Sequence, residues 1–366
     1  MATRSELERR LADVSVGDDA AEIGLQVIGG LSLLTTLVLF LLNSSLTAVP
    51  LLITLAAVGY GWIRHQATTA RALTFVATVS TVLILGLIAV FVFIESIPAA
   101  EVMSGTVFGI TIPGLGMVTR LQEPLWQTTT GIYSLLPMVY GTAVTTVIAV
   151  AIAGPLGVAG ALFISEIAPN WAREIVKPGV EILAGIPSIV YGFIGFVVVN
   201  QYTFDVLGTS YGSLFAVGLV IGLMSLPTVV TVAEDAIDSI PESMKSGSLA
   251  VGATDWQTMK SVTIPAAFSG IAAAVLLGVG RAIGETMAAT VMLGHTQAIP
   301  EPVYDVFFNG ETLTSVIASQ YGNAVQGVHM SALYAAGVVL FITVAVISVA
   351  SQLIEWRMKQ NLEGET

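Results

Sequence analysis

The chain has 366 residues, of which 55% are hydrophobic and only 10% charged, against roughly 25% charged in an ordinary soluble domain. It has no cysteine, 13 Lys+Arg against 25 Asp+Glu for a net charge of -12, and a mean hydropathy of +0.86. These values exclude a disordered chain, a basic nucleic-acid binder and a disulfide-stapled secreted domain, and they leave a protein dissolved mostly in lipid.

Residues 1–24 are polar and carry Glu6, Glu8, Asp13, Asp18, Asp19 and Glu22. A cleavable signal would place a short basic region directly before its apolar run, so this stretch reads as a cytoplasmic N-terminal tail, with a short helix opening at Ser5-Glu6-Leu7-Glu8. Eight apolar stretches follow, at approximately Leu25–Leu42, Leu46–Ile63, Ala72–Ile94, Met138–Ile164, Gly179–Val199, Gly212–Val232, Ala266–Leu293 and Met330–Ile354. Each approaches the ~20 residues that a helix needs to cross the hydrocarbon core. Uninterrupted apolar runs favour helices over barrel strands, which alternate polar and apolar. The expected fold class is all-α, polytopic, with about eight transmembrane helices.

Cytoplasmic loops collect Lys and Arg. With an even number of crossings and both termini inside, every basic residue except Arg120 and Arg281 falls on the cytoplasmic side. Trp62 and Trp356 then sit at inner segment ends, where aromatic belts form. Two long loops, 95–137 and 294–329, face outward. The C-terminal tail, 356–366, faces inward.

The inner stretch 234–265 has its own punctuation. Ser239-Ile240-Pro241-Glu242 and Thr254-Asp255-Trp256-Gln257 each fit a capping box, and Gly252 between them suits a turn. Pro265 stands at the start of the next membrane segment, where a missing backbone donor costs little. The loop reads as two short helices joined at a glycine. Gly252 is followed after nine residues by Val262-Thr263-Ile264-Pro265, and this spacing resembles the Glu-Ala-Ala loop of ABC-transporter permeases. In that pattern Glu-Ala-Ala stands where this chain has Ser246-Gly247-Ser248, so the acidic residue is absent there, and Glu242 lies one turn earlier. The resemblance implies an ATPase-coupling loop containing Glu242, Gly252, Val262, Ile264 and Pro265. None of the chain's lysines follows a glycine, so no phosphate-cradling P-loop is present and ATP hydrolysis belongs to a separate subunit.

The seventh segment contains Gly280-Arg281-Ala282-Ile283-Gly284-Glu285. Four residues apart on one helix, Arg281 and Glu285 would share a face. Gly280 and Gly284 form a small-xxx-small spacing that admits a neighbouring helix. An intramembrane arginine costs about 2.5–3.5 kcal/mol, so it is either paired structurally or lines an ion route. Its forked donors match phosphate or carboxylate oxygens. Glu285 would orient it and limit how tightly an anion is held.

The run Arg281-Ala282-Ile283-Gly284-Glu285-Thr286-Met287-Ala288 resembles the PstC-type permease subunits of phosphate ABC importers. So do Ala161–Pro169 and Glu181–Gly192, and the resemblance spans about residues 130–355 in order. Met287-Ala288 distinguishes the run from the paralogous PstA type, which more typically has Ala-Pro there. The resemblance implies a type I ABC permease core at 138–355, an inorganic phosphate substrate, and a pathway role for Arg281 and Glu285. It implies as partners a PstA-like second permease subunit, two PstB-like cytoplasmic ATPases, a PstS-like extracytoplasmic phosphate-binding protein and membrane lipid. No cofactor and no metal are expected, since His65, His295 and His329 are scattered and no cysteine accompanies them. The segment 25–71 looks like an additional helix pair, and 72–137 holds one membrane helix with a long outer loop. Two alternatives stand beside this reading. One is a permease for another oxyanion such as molybdate or sulfate, and the other is a receptor or scaffold that transports nothing.

Overall fold

The computed structural model describes residues 20–107, 110–324 and 327–364. The expected helix at Ser5–Glu8 lies outside them. The chain divides after Ala89 into two compact units.

The first unit contains α1 (Ala20–Leu41), α2 (Ala48–Arg64) and the first part of α3 (Gln66–Val102). On α2 the buried residues are Pro50, Thr54, Ala57 and Gly61, spaced at three and four as one helix face requires. There Thr54 and Ser32 of α1 share a buried hydroxyl–hydroxyl hydrogen bond of 2.8 Å. Most large apolar side chains described on both helices, among them Leu31, Leu34, Phe40, Leu52 and Leu55, are exposed, as lipid-facing ones must be.

In the second unit, the end of α3 leads into a hairpin of β1 (Gly105–Val107) and β2 (Ile110–Ile112), antiparallel with Thr106 opposite Thr111. After α4 (Leu115–Thr119) comes a second hairpin, β3 (Trp126–Gln127) with β4 (Ile132–Tyr133). The centre is a trio of long helices: α5 (Leu136–Leu162), α9 (Leu214–Asp238) and α12 (Ile264–Ile283). Between them lie α6 (Asn170–Gly185), α7 (Ser188–Ile194), α8 (Asn200–Leu207), α10 (Glu242–Ala250) and α11 (Asp255–Thr258). The chain ends with α13 (Met287–Met292), α14 (Leu313–Gln320) and α15 (Val328–Gly364).

Lipid tails are as apolar as leucine, so close packing rather than water expulsion holds such helices together. The trio meets through small residues. A Cβ added at Gly278 of α12 would lie 2.6 Å from a Val229 methyl of α9, and one at Gly157 of α5 would lie 2.7 Å from the same side chain. Ala153, Ala161, Ala233, Ala267 and Ala274 belong to that core, with Ile237, Ile240 and Ile271 filling the remainder.

Among the described residues, seven helices are long and apolar enough to cross a membrane, and Gln26–Leu41 is a shorter apolar helix. Two expected spans are corrected. The fifth runs Ser188–Leu207 rather than Gly179–Val199, because Ile186-Pro187 breaks the helix and leaves α6 as a separate amphipathic element. The seventh is not continuous to Leu293: it runs Asp255–Ile283, stops at Gly284 and restarts as α13. Three helices contain one π turn each, at Phe163–Ile167, Gly195–Val199 and Met259–Thr263. The last lies just before Pro265, so α11, the π turn and α12 form one rod through that proline.

Candidate functional site

The break at Gly284 creates the site. Glycine is a poor helix former, and here Gly284 caps α12, its N–H shared between the Gly280 carbonyl at 3.2 Å and the Ala282 carbonyl. Beyond it, Glu285 turns its Oε1 back to accept from Ala288 N–H at 3.0 Å. That satisfies one of the free donors at the start of α13, where a negative charge also complements the helix dipole. Arg281 and Glu285 are therefore not the ion pair expected from their spacing: the geometry of one continuous helix does not apply across the break. Arg281 is half-buried, and its Nε is buried without a hydrogen-bond partner.

Arg281 opens onto a groove of about 630 Å³ between α12 and α15, lined also by Thr228, Leu277, Gly280, Ser348 and Gln352. Within this chain no other helix approaches closely at Gly280 or Gly284. Nothing lies within 4 Å of a Cβ built at Gly280, and the approach occurs at Gly278 instead. Gly280 leaves the arginine accessible from the groove.

At the other end of α12 the loop 234–265 has the expected joint. Gly252 adopts a left-handed φ of +91°, and Thr254 and Gln257 form a full capping box. The first box is corrected. Ser239 Oγ donates to the Ala236 carbonyl, closing α9, and Pro241 is the N-cap of α10. Proline's fixed φ suits a helix start without a hydroxyl cap. Glu242 opens α10, while Val262 lies in the π turn and Ile264 and Pro265 in the first turn of α12.

The sequence reading missed what braces this face. Lys245 Nζ pairs with Glu166 Oε1 at 2.6 Å, tying α10 to the π turn after α5. Arg173 donates to the carbonyls of Ile164 (2.8 Å) and Ser165 (2.6 Å), and Lys177 reaches the buried Glu234 at 2.9 Å. Glu166 lies in the quoted Ser-Glu-Ile-Ala-Pro run, but nothing in one sequence pairs it with Lys245. Glu166, Arg173 and Lys245 border a cavity of about 780 Å³ with Asp238, Glu242, Trp256 and Thr258.

Residues 153–360 match the family described as "Binding-protein-dependent transport system inner membrane component". The chain is 42% identical over 213 residues to the "Probable ABC transporter permease protein YqgH" of Bacillus subtilis, covering 57% of this chain and 68% of that one. It is 32% identical over 260 residues to the "Phosphate transport system permease protein PstC" of Haemophilus influenzae, covering 66% and 81%. It is also 32% identical over 303 residues to the "Probable phosphate transport system permease protein PstC" of Methanocaldococcus jannaschii, covering 77% and 91%. A chain of the bacterial alginate ABC transporter superposes with a TM-score of 0.54 at 17% identity, over 81% of this chain and 98% of that one, which shows a common fold alone. The chain thus belongs to the family of binding-protein-dependent transport system inner membrane components, the multi-pass permease subunits of ABC importers.

Proposed function

We propose that the chain is the permease subunit of an ATP-driven importer of inorganic phosphate and that Arg281 lies on the anion's route. As a permease of this family it works in a complex with an ATPase and a binding protein. The observation that carries the proposal is the unpaired, half-buried guanidinium of Arg281 beside the break in its helix. A guanidinium in low dielectric without a counter-charge strongly favours an anion with oxygens spaced for its fork. With Glu285 engaged by the backbone of α13, the charge of Arg281 is left to the passing ion. The names of the phosphate permeases among its relatives support phosphate as that ion.

The distribution of Lys and Arg supports a cytoplasmic coupling loop and termini, and an outward face for 294–329. Two ATPases dock at that inner face. The open groove beside Arg281 is closed by a second permease subunit, PstA-like, and a phosphate-binding protein delivers the ion from outside. The uninterrupted helix Asp255–Ile283 connects the two ends. At 1.5 Å per residue it spans roughly 40 Å, so a tilt imposed at Trp256 moves Arg281 directly.

Uptake of radiolabelled phosphate by the assembled transporter tests this. Arg281→Ala reduces uptake about 10–100-fold, the loss of one or two charge-assisted hydrogen bonds, and Arg281→Lys restores part of it. Unchanged phosphate uptake with lost molybdate or sulfate uptake assigns the route to another oxyanion. Failure to co-purify with an ATPase returns the chain to a scaffold role.

A further inference from the structure

The transport reading leaves one buried acid without a task. The Glu311 side chain is fully buried, beyond the reach of solvent. A buried carboxylate persists only when paired and hydrogen-bonded. Both its oxygens lie 3.0 Å from His295 Nδ1, Ser315 Oγ donates to it, and Gln297 Nε2 lies at 3.4 Å. His295 Nε2 lies 3.1 Å from the Thr290 carbonyl of α13. His295 holds a left-handed φ of +59°, a conformation uncommon outside glycine and sustained here by the two contacts of its ring.

From this anchor the next residues reach the Gly284 break. Thr312 and Ser315 cap α14 reciprocally. Thr314 Oγ1 donates to the backbone carbonyl of Glu285 at 2.7 Å, and Leu313 N–H donates to Thr142 Oγ1 of α5 at 2.9 Å. The Glu311 carbonyl packs where Gly141 has no side chain. One short segment therefore grips α5, the break and α13 together.

We infer that Glu311 and His295 are positioning residues for the Arg281–Glu285 break, and that they form a latch which holds when His295 is protonated and loosens when it is not. The inference rests on reading that break as part of the transport route. With Glu311 as a carboxylate, an acceptor only, the geometry calls for a proton on each ring nitrogen. Both ring nitrogens face acceptors, a carboxylate and a carbonyl, and a neutral imidazole has only one N–H to give. Glu311 is the ionisable group that faces His295; α13 and α14 carry none, and Glu285 is turned to Ala288 N–H. The Glu311 hydrogen bond also raises the His295 pKa above its ordinary value. A raised folded-state pKa means that the latch is fully engaged below the usual histidine range and is lost as pH rises through the raised value.

The chain lacks cysteine, so single thiols report locally. In the complete reconstituted transporter, a water-soluble maleimide labels Met287→Cys, at the first residue of α13, and separately Tyr304→Cys, an 80%-exposed loop position. Each rate is divided by the thiolate fraction from that cysteine's own measured pKa, because a helix N-terminus lowers a thiol's pKa, and the ratio is taken of the corrected rates. The ratio is expected to rise roughly tenfold as pH climbs through the His295 titration, the effect of one charge-assisted hydrogen bond. His295→Gln makes it high at every pH. His295→Lys, which keeps the charge, extends the low ratio to more alkaline pH. A flat ratio in the protein with His295 intact overturns the latch, as does a profile that His295→Lys leaves where it was. Labelling needs no phosphate, so it stands or falls separately from the effect of Arg281→Ala on uptake.

Discussion

At Arg281 and Glu285, two residues four apart do unrelated work because one glycine stands between them. Glu285 acts as a cap through Oε1. Glu285→Ala is expected to lower stability by about 0.5–2 kcal/mol and Glu285→Gln by less, since the amide oxygen still accepts. Thermal unfolding of the purified subunit complex measures both. At this scale the sequence was legible in kind but not in geometry. The arginine's rarity inside an apolar run marked it, but Gly284 offered no sign that it ends a helix, because glycines at 278 and 280 are helical throughout. Glu311 and His295 were invisible as a pair, since burial within a loop leaves no periodic trace.

Among the elements, the crossing of α9 and α12 depends on Gly278 against Val229. Gly278→Leu is expected to destabilise by about 1–3 kcal/mol through overpacking, and Val229→Ala added to it recovers part of the loss. Thermal melts of the two variants in detergent compare them. The brace between α10 and the end of α5 gives a second expectation. Lys245 and Glu166 are 15% and 16% exposed at their side chains, between the ~0–1 kcal/mol of a surface pair and the ~3–5 kcal/mol lost on breaking a buried one. Lys245→Glu alone is expected to weaken the stimulation of ATP hydrolysis by the loaded binding protein. Adding Glu166→Lys restores it, as steady-state ATPase assays would register. The turn at Gly252 and the cap at Thr254 were readable because their cause is local. The break at Pro187 was missed, and the span drawn through it, because hydropathy counts proline's neighbours and not the carbonyl it strands.

For the molecule as a whole, composition and the order of apolar runs sufficed for an all-α polytopic protein, and short motifs sufficed for its family. What they left open is how the ends of the chain relate to the core. Removing residues 1–64 deletes the span Ser45–Arg64 together with the shorter apolar helix Gln26–Leu41, and takes away none of the side chains that form the cores of the second unit. The truncated chain is expected to keep its orientation, to co-purify with its ATPase and to retain most uptake, and a pull-down with an uptake assay checks this.

The π turn at Met259–Thr263 has a consequence for the rod that runs from Asp255 to Ile283. A π turn is an α-helix with one residue inserted, and each helical residue turns the chain by about 100°. A π turn winds each residue by less than the ~100° of an α-helix, so the inserted residue is taken up as a local bulge and the phase between Trp256 and Arg281 stays close to that of a plain α-helix one residue shorter. Deleting Ser261 would therefore turn the bulge into ordinary α-helix and leave Arg281 facing its groove. One residue inserted elsewhere in the rod, with no bulge to absorb it, would instead swing the two ends about 100° out of phase.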